Sequence, residues 1–336
     1  MIRDAARLLD QLRRIHGAIR DAVVHACEHS ALEHLAQPLG ETAGDTIFAI
    51  DRVSEAVLLH HFAALAAEWP CMLVAEGLGD DGRLMLPAGL PPDQAELIII
   101  IDPIDGTRGL MYQKRPAWIL TGVAAARPDA TLADIELALM TEIPLVKQHL
   151  CDVLWASAGG GMHAERYDRL SGVARPLRLQ PSGASTPAQG YGAISRFFPG
   201  ARDLLAAADD QLIEQLLGIA PPGVAVSFED QYISTGGQLY ELIAGHDRWV
   251  ADVRPLADVV LRQRGRPLGL CCHPYDICTE LIAREAGVVV ADPWGARLMA
   301  PLDVTSAISW VGFANPVLAR QMAPALRVAL RGQGLL

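Results

Sequence analysis

The chain has 336 residues, of which 51% are hydrophobic and 20% charged, which is enough apolar material for one or two folded domains and excludes a disordered chain. The net charge of −11, without a cluster of Lys and Arg, disfavours a nucleic-acid polymer as partner. The six cysteines form no CxxC pair, and no apolar run approaches the roughly 18 residues of a membrane span, so we expect a reduced, soluble, cytoplasmic protein.

The first half of the chain shows helical periodicity and then a series of strand patterns. Apolar residues recur at helical spacing over 3–29, and Ser54 is the predicted N-cap of a second helix. The predicted elements of this half are, in order, a helix at 3–29, a β-like stretch or helix lead-in at 46–51, a helix at 54–68, and strands at 71–75, 95–101, 117–126, 134–141, 152–158 and 162–167.

The second half begins after a segment rich in Ser, Pro, Thr and Gly at 179–188, and helices and strands alternate in it. The predicted elements of this half are strands at 191–195, 224–228, 249–252, 288–291 and 308–313, and helices at 202–217, 237–244, 274–286 and 316–330. Together the two halves predict an α/β protein of the layered α+β kind. We divide it into an N-terminal domain, 1–180, and a C-terminal domain, 181–336.

Two aspartates follow the most strongly apolar strand of the sequence. Four isoleucines at 98–101 lead directly into Asp102 and Asp105, and Pro103 stiffens the turn between them. Gly106 permits a close approach of the backbone to a ligand, and the amides around Gly106 and Thr107 can donate to a phosphate. Oxygen ligands at this density suit Mg²⁺. The alternative is a polar turn that only ends a strand.

Further motifs occur in a fixed order around this one. Asp51 follows an early helical segment, Glu76 follows a strand, and Asp276 comes late in the chain. In this order they resemble the inositol monophosphatase family, the lithium-sensitive, magnesium-dependent phosphatases that include fructose bisphosphatases and bisphosphate nucleotidases. Three further stretches extend the resemblance from about residue 40 to residue 315: a glycine-rich hairpin at 158–161, a helix behind the substrate pocket at 236–245, and a late element at 283–287 that resembles the family's Glu-Ala-Gly-Gly. It implies a fold of alternating α-β-α-β-α layers.

The resemblance implies two or three Mg²⁺ ions and assigns the ligands of two of them. One ion takes Glu76, Asp102 and the backbone carbonyl of Ile104. A second takes Asp102, Asp105 and Asp276. The N-terminal domain would then carry most of the metal ligands, and the C-terminal domain would complete the site.

The resemblance also implies how the chain handles phosphate and water. Thr107, hydrogen-bonded to Asp51, would activate the attacking water, with Glu76 as a further catalytic residue. The amides of Gly106 and Thr107 would hold the phosphate. Substrate contacts are predicted for Arg108, Arg196 and Glu285.

Several positions depart from the family pattern or allow a simpler role. Gly77 stands where the family has the second Glu of a pair, which puts a third metal site in doubt, and Asp45 is a candidate replacement or an exposed loop residue. Asp51 alone would more often be a helix cap near Ser54, and Asp276 alone would favour a helix dipole. Glu285 would equally suit an ion pair with a nearby arginine.

The sequence therefore predicts a Mg²⁺-dependent phosphomonoesterase for an inositol phosphate or a sugar phosphate such as fructose 1,6-bisphosphate. A 3′(2′),5′-bisphosphate nucleotidase and a non-catalytic binding or regulatory relative are the alternatives. A metal-dependent nuclease is disfavoured by the acidic charge. We expect a small phosphate ester as the partner, no membrane, and a homodimer because family members are often dimers.

Overall fold

The structure is a computed structural model, and it describes residues 2–41, 46–79 and 81–336. The predicted replacement carboxylate Asp45 lies outside the described residues. Within the described part of the chain, none of the helices combines the length and the apolar character that crossing a bilayer requires.

The helices and strands are named in chain order. The helices are α1 (Ala5–His29), α2 (Leu32–Leu35), α3 (Ala49–Leu65), α4 (Thr107–Met111), α5 (Arg202–Leu217), α6 (Thr235–Ile243), α7 (Asp258–Gln263), α8 (Pro274–Ile277), α9 (Glu280–Glu285) and α10 (Pro316–Gly332). The strands are β1 (Pro38–Glu41), β2 (Thr46–Phe48), β3 (Cys71–Val74), β4 (Arg83–Leu86), β5 (Leu97–Asp105), β6 (Ala117–Ala125), β7 (Ile135–Ile143), β8 (Leu150–Ser157), β9 (Met162–Asp168), β10 (Val173–Pro176), β11 (Tyr191–Ile194), β12 (Asp247–Asp252), β13 (Val289–Ala291) and β14 (Trp310–Phe313).

Two main sheets organise the described residues. The larger has eight strands in the order β10-β9-β8-β7-β6-β5-β3-β4, and the smaller has four in the order β11-β12-β14-β13. Strand β5 pairs parallel with β3 and antiparallel with β6. Since β5 lies inside the larger sheet, the aspartates at its end emerge from the interior of the protein.

Helices cover both sheets on both faces. Helices α1 and α3 pack on the larger sheet, α6, α8 and α9 lie between the two sheets, and α5 and α10 contact the smaller sheet. Because both faces of β5 and β6 are covered, these strands are apolar along their length instead of alternating. The predicted α-β-α-β-α layering is confirmed.

The predicted elements differ from the structure in three places. The second helix begins at Ala49, so the prediction of Ser54 as its N-cap is wrong: Ser54 lies inside α3 and donates to the carbonyl of Asp51. The segment at 224–228 is not a strand, since Phe228 makes only an isolated bridge to Tyr191. The single helix predicted at 274–286 is two, α8 and α9. The division at residue 180 stays a prediction.

A buried histidine joins α1 to the larger sheet. The ring nitrogens of His16 lie 3.0 Å from the hydroxyl of Thr141 and 2.8 Å from the hydroxyl of Thr121. Burial, with the charge of Arg20 as a lesser cause, lowers the pKa of His16 to about 3. The ring is therefore neutral in the folded protein at pH 5, where the unfolded chain carries a proton on it.

We expect His16 to make the fold sensitive to acid. Because the pKa of His16 is lower in the folded protein than in the unfolded chain, its contribution to folding stability is fully present above pH 6.5, the pKa in the unfolded chain. That contribution is lost as the pH falls from 6.5 towards 3, by up to about 1.4 kcal/mol per pH unit. Urea unfolding of the wild type and of His16→Gln at pH 7.5 and 5.0 checks this. Between the two pH values, the free energy of unfolding should fall by about 2 kcal/mol less in the variant than in the wild type. The exposed His60→Gln should behave like the wild type, and equal losses in all three proteins would contradict the assignment.

Candidate metal centre and active site

A β-bulge brings the two aspartates of the central motif to one side of the sheet. Asp102 pairs with Leu120 of β6 and Asp105 pairs with Trp118, so three steps along β5 match two along β6. In a regular strand, residues three apart point to opposite faces. The extra residue reverses the second of them, so both carboxylates face the same site.

The start of α6 holds the carboxylate of Asp105. Its oxygens accept from the Ser234 hydroxyl at 2.8 Å, from the Gly236 amide at 2.6 Å and from the Thr235 amide at 3.3 Å. A Cβ at Gly236 would lie 2.5 Å from a methyl of Leu120 and 3.0 Å from Asp105 Oδ2. Glycine is therefore required there for the helix to approach the carboxylate this closely.

The third carboxylate comes from the short helix α8. Asp276 accepts from the amide of His273 at 2.6 Å, in a capping box whose N-cap is His273. Pro274 occupies the first helical position. Asp102, Asp105 and Asp276 each offer one oxygen, and these atoms all lie within 4.8 Å of one another. Two elements far apart in the sequence, β5 and α8, thus bring three carboxylates to a point that one cation can occupy.

The carboxylates in this cluster destabilise one another's charged forms. Burial, then the charges of Asp105 and Asp276, raise the pKa of Asp102 well above its usual range. Burial and Asp276 raise the pKa of Asp105 to about 7, although the hydrogen bonds from Ser234 and Gly236 work in the opposite direction. A bound cation would remove this repulsion.

The predicted water-activating pair lies beside the cluster. Thr107 is the first residue of α4, and its hydroxyl lies 3.3 Å from Asp51 Oδ1 and 2.8 Å from the carbonyl of Ile104. The other Asp51 oxygen accepts from the amide of Phe48 at 2.7 Å, so Asp51 both caps α3 and reaches Thr107. Gly106 takes φ 97°, a conformation that favours glycine.

One cavity contains most of the predicted site residues. The predicted side chains that line it are Asp51, Glu76, Asp102, Asp105, Thr107, Arg108 and Asp276, and the backbone of Ile104 and Gly106 lies there as well. The charge of Glu76 contributes to the raised pKa of Asp102, which places it close to the cluster.

The structure places the other two predicted substrate residues outside that cavity lining. Arg196 pairs with Asp209 and Glu229. Glu285 accepts from the amides of Gly159 and Gly161, both at 2.8 Å, and so fastens the β8–β9 hairpin turn. Both residues lie outside the lining of this cavity, so their role as substrate contacts stays a prediction, and two amides take the place of the ion pair considered for Glu285.

The cavity also contains residues that sequence reasoning missed. Glu55 lies one helical turn after Asp51 on α3, a spacing of four that would have found it. Ser234 is the N-cap of α6, and a serine directly before a helical pattern is a readable signal. Arg254 and the pair Phe197–Phe198 give no local signal, because only the tertiary fold brings them to the cavity.

The donor set fits a hard divalent cation. The three clustered aspartates and the nearby Glu76 provide carboxylate oxygens, and Ile104 adds a backbone carbonyl whose second lone pair remains after it accepts from Thr107. Carboxylate and carbonyl oxygens suit Mg²⁺ and Mn²⁺, in contrast to the sulfur and imidazole sets that select softer metals. The cluster can therefore bind a metal ion of this class.

Comparisons with solved structures identify the fold. Over 96% of this chain and 98% of the other, it is similar to the extragenic suppressor protein suhB from Bartonella henselae, with 13% identity and a TM-score of 0.66. A fructose-1,6-bisphosphatase from Leishmania major matches over 96% and 94%, with 11% identity and a TM-score of 0.67. An inositol monophosphatase from Zymomonas mobilis matches over 97% and 100%, with 11% identity and a TM-score of 0.60.

The chain has the inositol monophosphatase and fructose-1,6-bisphosphatase fold. The resemblance read from the ordered motifs is thus confirmed at the level of the fold. A scan against protein-family models and a search of curated proteins give no match. The evidence for the layered fold, and for the meeting of the sequence motifs at one site, therefore comes from the structure and not from these two comparisons.

Removing one charge from the cluster should stabilise the metal-free protein. In Asp102→Asn the retained Oδ1 still accepts from the amide of Ile104, while the repulsion with Asp105 and Asp276 is lost. We expect a higher melting temperature than the wild type in chelator, by a few degrees, and a smaller rise on adding Mg²⁺. Asp303→Asn, a loop carboxylate outside the cavity, should show the wild-type response. A variant that melts lower than the wild type in chelator would contradict the repulsion.

Proposed function

We propose that the protein is a Mg²⁺-dependent phosphomonoesterase that acts on a small phosphorylated metabolite. The observation that carries this proposal is the convergence of Asp102, Asp105 and Asp276, within 4.8 Å, beside the Thr107–Asp51 pair. The neighbours named as an inositol monophosphatase and a fructose-1,6-bisphosphatase support the same class of reaction through the shared fold.

The carboxylates of Asp102, Asp105, Asp276 and Glu76 would hold the metal. Bound there, Mg²⁺ would supply charge neutralisation for the phosphate and a lowered pKa for a coordinated water. The Ser234 hydroxyl and the first amides of α6 would orient Asp105 for this role.

Thr107 and Asp51 would prepare the nucleophile. A hydroxyl carries one hydrogen, so when Thr107 donates to Asp51 its oxygen lone pairs are left to accept from a water. The water oxygen would attack phosphorus while one of its protons passes to Thr107 and the threonine proton passes to Asp51. The ester oxygen would then leave with the electron pair of the broken P–O bond and take a proton from solvent. The amides of Gly106 and Thr107, at the start of α4, would hold the phosphate.

The substrate is proposed as an inositol phosphate or a sugar phosphate such as fructose 1,6-bisphosphate. A 3′(2′),5′-bisphosphate nucleotide remains the alternative within the same chemistry. A non-catalytic relative is disfavoured, since the carboxylates and the Thr107–Asp51 contact are both in place.

Phosphate release should depend on Mg²⁺ and on the clustered carboxylates. We expect turnover of at least one of inositol 1-phosphate, fructose 1,6-bisphosphate and adenosine 3′,5′-bisphosphate, with no release in chelator. Asp105→Asn should lower kcat by at least about 100-fold, because it removes a ligand whose charge is needed at the metal. Colorimetric assay of released phosphate checks this. A well-folded, Mg²⁺-binding protein that turns over none of the three would favour the non-catalytic relative.

A second substitution tests the route of the proton. Thr107→Val keeps the shape of the side chain and removes the hydroxyl, and should lower kcat by roughly 100- to 10,000-fold with unchanged Mg²⁺ affinity. Thr107→Ser keeps the hydroxyl and should retain most of the activity. Equal activity of the valine and serine variants would remove Thr107 from the mechanism.

A further inference from the structure

The last turns of α1 carry two histidines four residues apart. His25 and His29 are both exposed, and their rings stack with the centroids 4.1 Å apart and the ring planes inclined by 30°. Residues four apart are neighbours on the same face of a helix. Two metal–nitrogen bonds of about 2.0–2.1 Å each span a comparable distance, so one ion can reach both rings.

A hydrogen bond to the backbone fixes the tautomer of one of these rings. Nδ1 of His29 lies 2.9 Å from the carbonyl oxygen of His25. A carbonyl oxygen can only accept, so Nδ1 carries the hydrogen and Nε2 keeps the lone pair that a metal requires. Histidines that bind metals commonly donate their other ring N–H to a carbonyl in this way. His29 therefore has the tautomer and the orientation of a metal ligand.

The residues between the two histidines contribute neither a ligand nor a base. Cys27 lies about 200° round the helix from His25 and packs against the core. Burial, with the charge of Glu28 as a lesser cause, raises the pKa of the Cys27 thiol to about 11. The order His-x-x-Glu-His also occurs in zinc peptidases, which use the glutamate as a base. Here Glu28 accepts from Nη2 of Arg169 at 2.6 Å, so the motif supports metal binding and gives no support to hydrolysis.

Imidazole nitrogens select a different class of ion from the carboxylate cluster. Imidazole suits Zn²⁺, Cu²⁺ and Ni²⁺, whereas carboxylate and carbonyl oxygens suit Mg²⁺. Among the residues that the structure describes, no further His, Cys, Asp or Glu completes a group of three ligands with this pair. Two protein ligands would therefore hold the ion, and water would take its remaining coordination positions.

We propose that His25 and His29 form a surface site for a transition-metal ion that prefers imidazole, separate from the carboxylate cluster. Neither histidine lines the cavity that contains the clustered aspartates. The site belongs to the helix layer on the outer face of the larger sheet, where α1 contacts α3 and β7. It does not rest on the proposed phosphatase function.

Calorimetric titration of the full chain with CuCl2, in saturating Mg²⁺, tests the site. We expect Cu²⁺ to bind at the pair more tightly than Zn²⁺, in line with the general order of divalent affinities. His25→Ala and His29→Ala should each lower the Cu²⁺ affinity roughly 100-fold, because the second of two linked ligands binds at a high effective concentration. Alanine is the best helix former, so both variants should keep α1 intact, which thermal unfolding verifies.

His60→Ala provides the matched control. His60 and His61 are also a pair of contacting rings on a helix, α3, with their centroids 5.2 Å apart and their planes inclined by 76°. Consecutive residues of a helix do not share a face, so His60→Ala should bind Cu²⁺ like the wild type. If it lowers the affinity as much as His25→Ala does, the ion is held by scattered histidines and the inference is wrong.

An EPR spectrum of the protein with one equivalent of Cu²⁺ identifies the ligand atoms. Couplings to nitrogen should appear in the wild type and disappear in the double variant H25A/H29A. A spectrum with oxygen ligands only, or an affinity that neither single variant changes, would overturn the site. These experiments measure metal binding alone, so failure of the phosphatase proposal would leave their outcome unchanged.

Discussion

The mutual repulsion of three buried carboxylates is the constraint on which the arrangement of this protein depends. Strand β5 has no water on either face, so Asp102 and Asp105 can leave the interior only where the strand ends. A bulge against β6 turns both to one side, and Asp276 then adds a third negative charge. Backbone donors compensate part of this repulsion, and a bound cation would compensate more of it.

The middle layer of helices supplies part of that compensation. Helix α6 points its first amides at Asp105, and the turn that opens α8 fixes Asp276 through the amide of His273. Both helices lie between the two sheets, so the packing that closes the core also determines where the carboxylates meet. Gly236 serves both the packing of the core and the placement of the carboxylate, because a side chain there would clash with Leu120 and with Asp105. The packing of the core and the geometry of the carboxylate cluster therefore depend on the same contacts.

The fold could be predicted from the sequence wherever a pattern is local and long. The strand that contains the four isoleucines before Asp102 and the first helix, predicted at 3–29, were both found, since a fully buried strand and a long amphipathic helix have strong local signals. The split between α8 and α9 was missed, because helical periodicity continues across a break of two residues. The segment at 224–228 has the composition of a strand, but only Phe228 in it forms a β-bridge, to Tyr191. Whether a segment joins a sheet depends on its neighbours in space, which composition does not reveal.

The residues of the candidate site, like the elements of the fold, could be predicted from the sequence only in part. The carboxylates were predicted because each lies in a motif whose order is fixed along the chain. Arg254 was missed because its relation to the cavity depends on Asp252, Leu270 and the ring of Phe197, which meet only in the folded protein. Arg196 and Glu285 were predicted from their charge and region, and the structure shows partners that the sequence did not reveal: Asp209 and Glu229 for Arg196, and two hairpin amides for Glu285. Their role as substrate contacts stays a prediction.

The clustered carboxylates also determine the order in which ligands would bind under the proposed function. An acidic protein with clustered carboxylates repels a phosphate ester until a cation reverses the local field. Productive binding of such an ester at the cluster would therefore require the metal first.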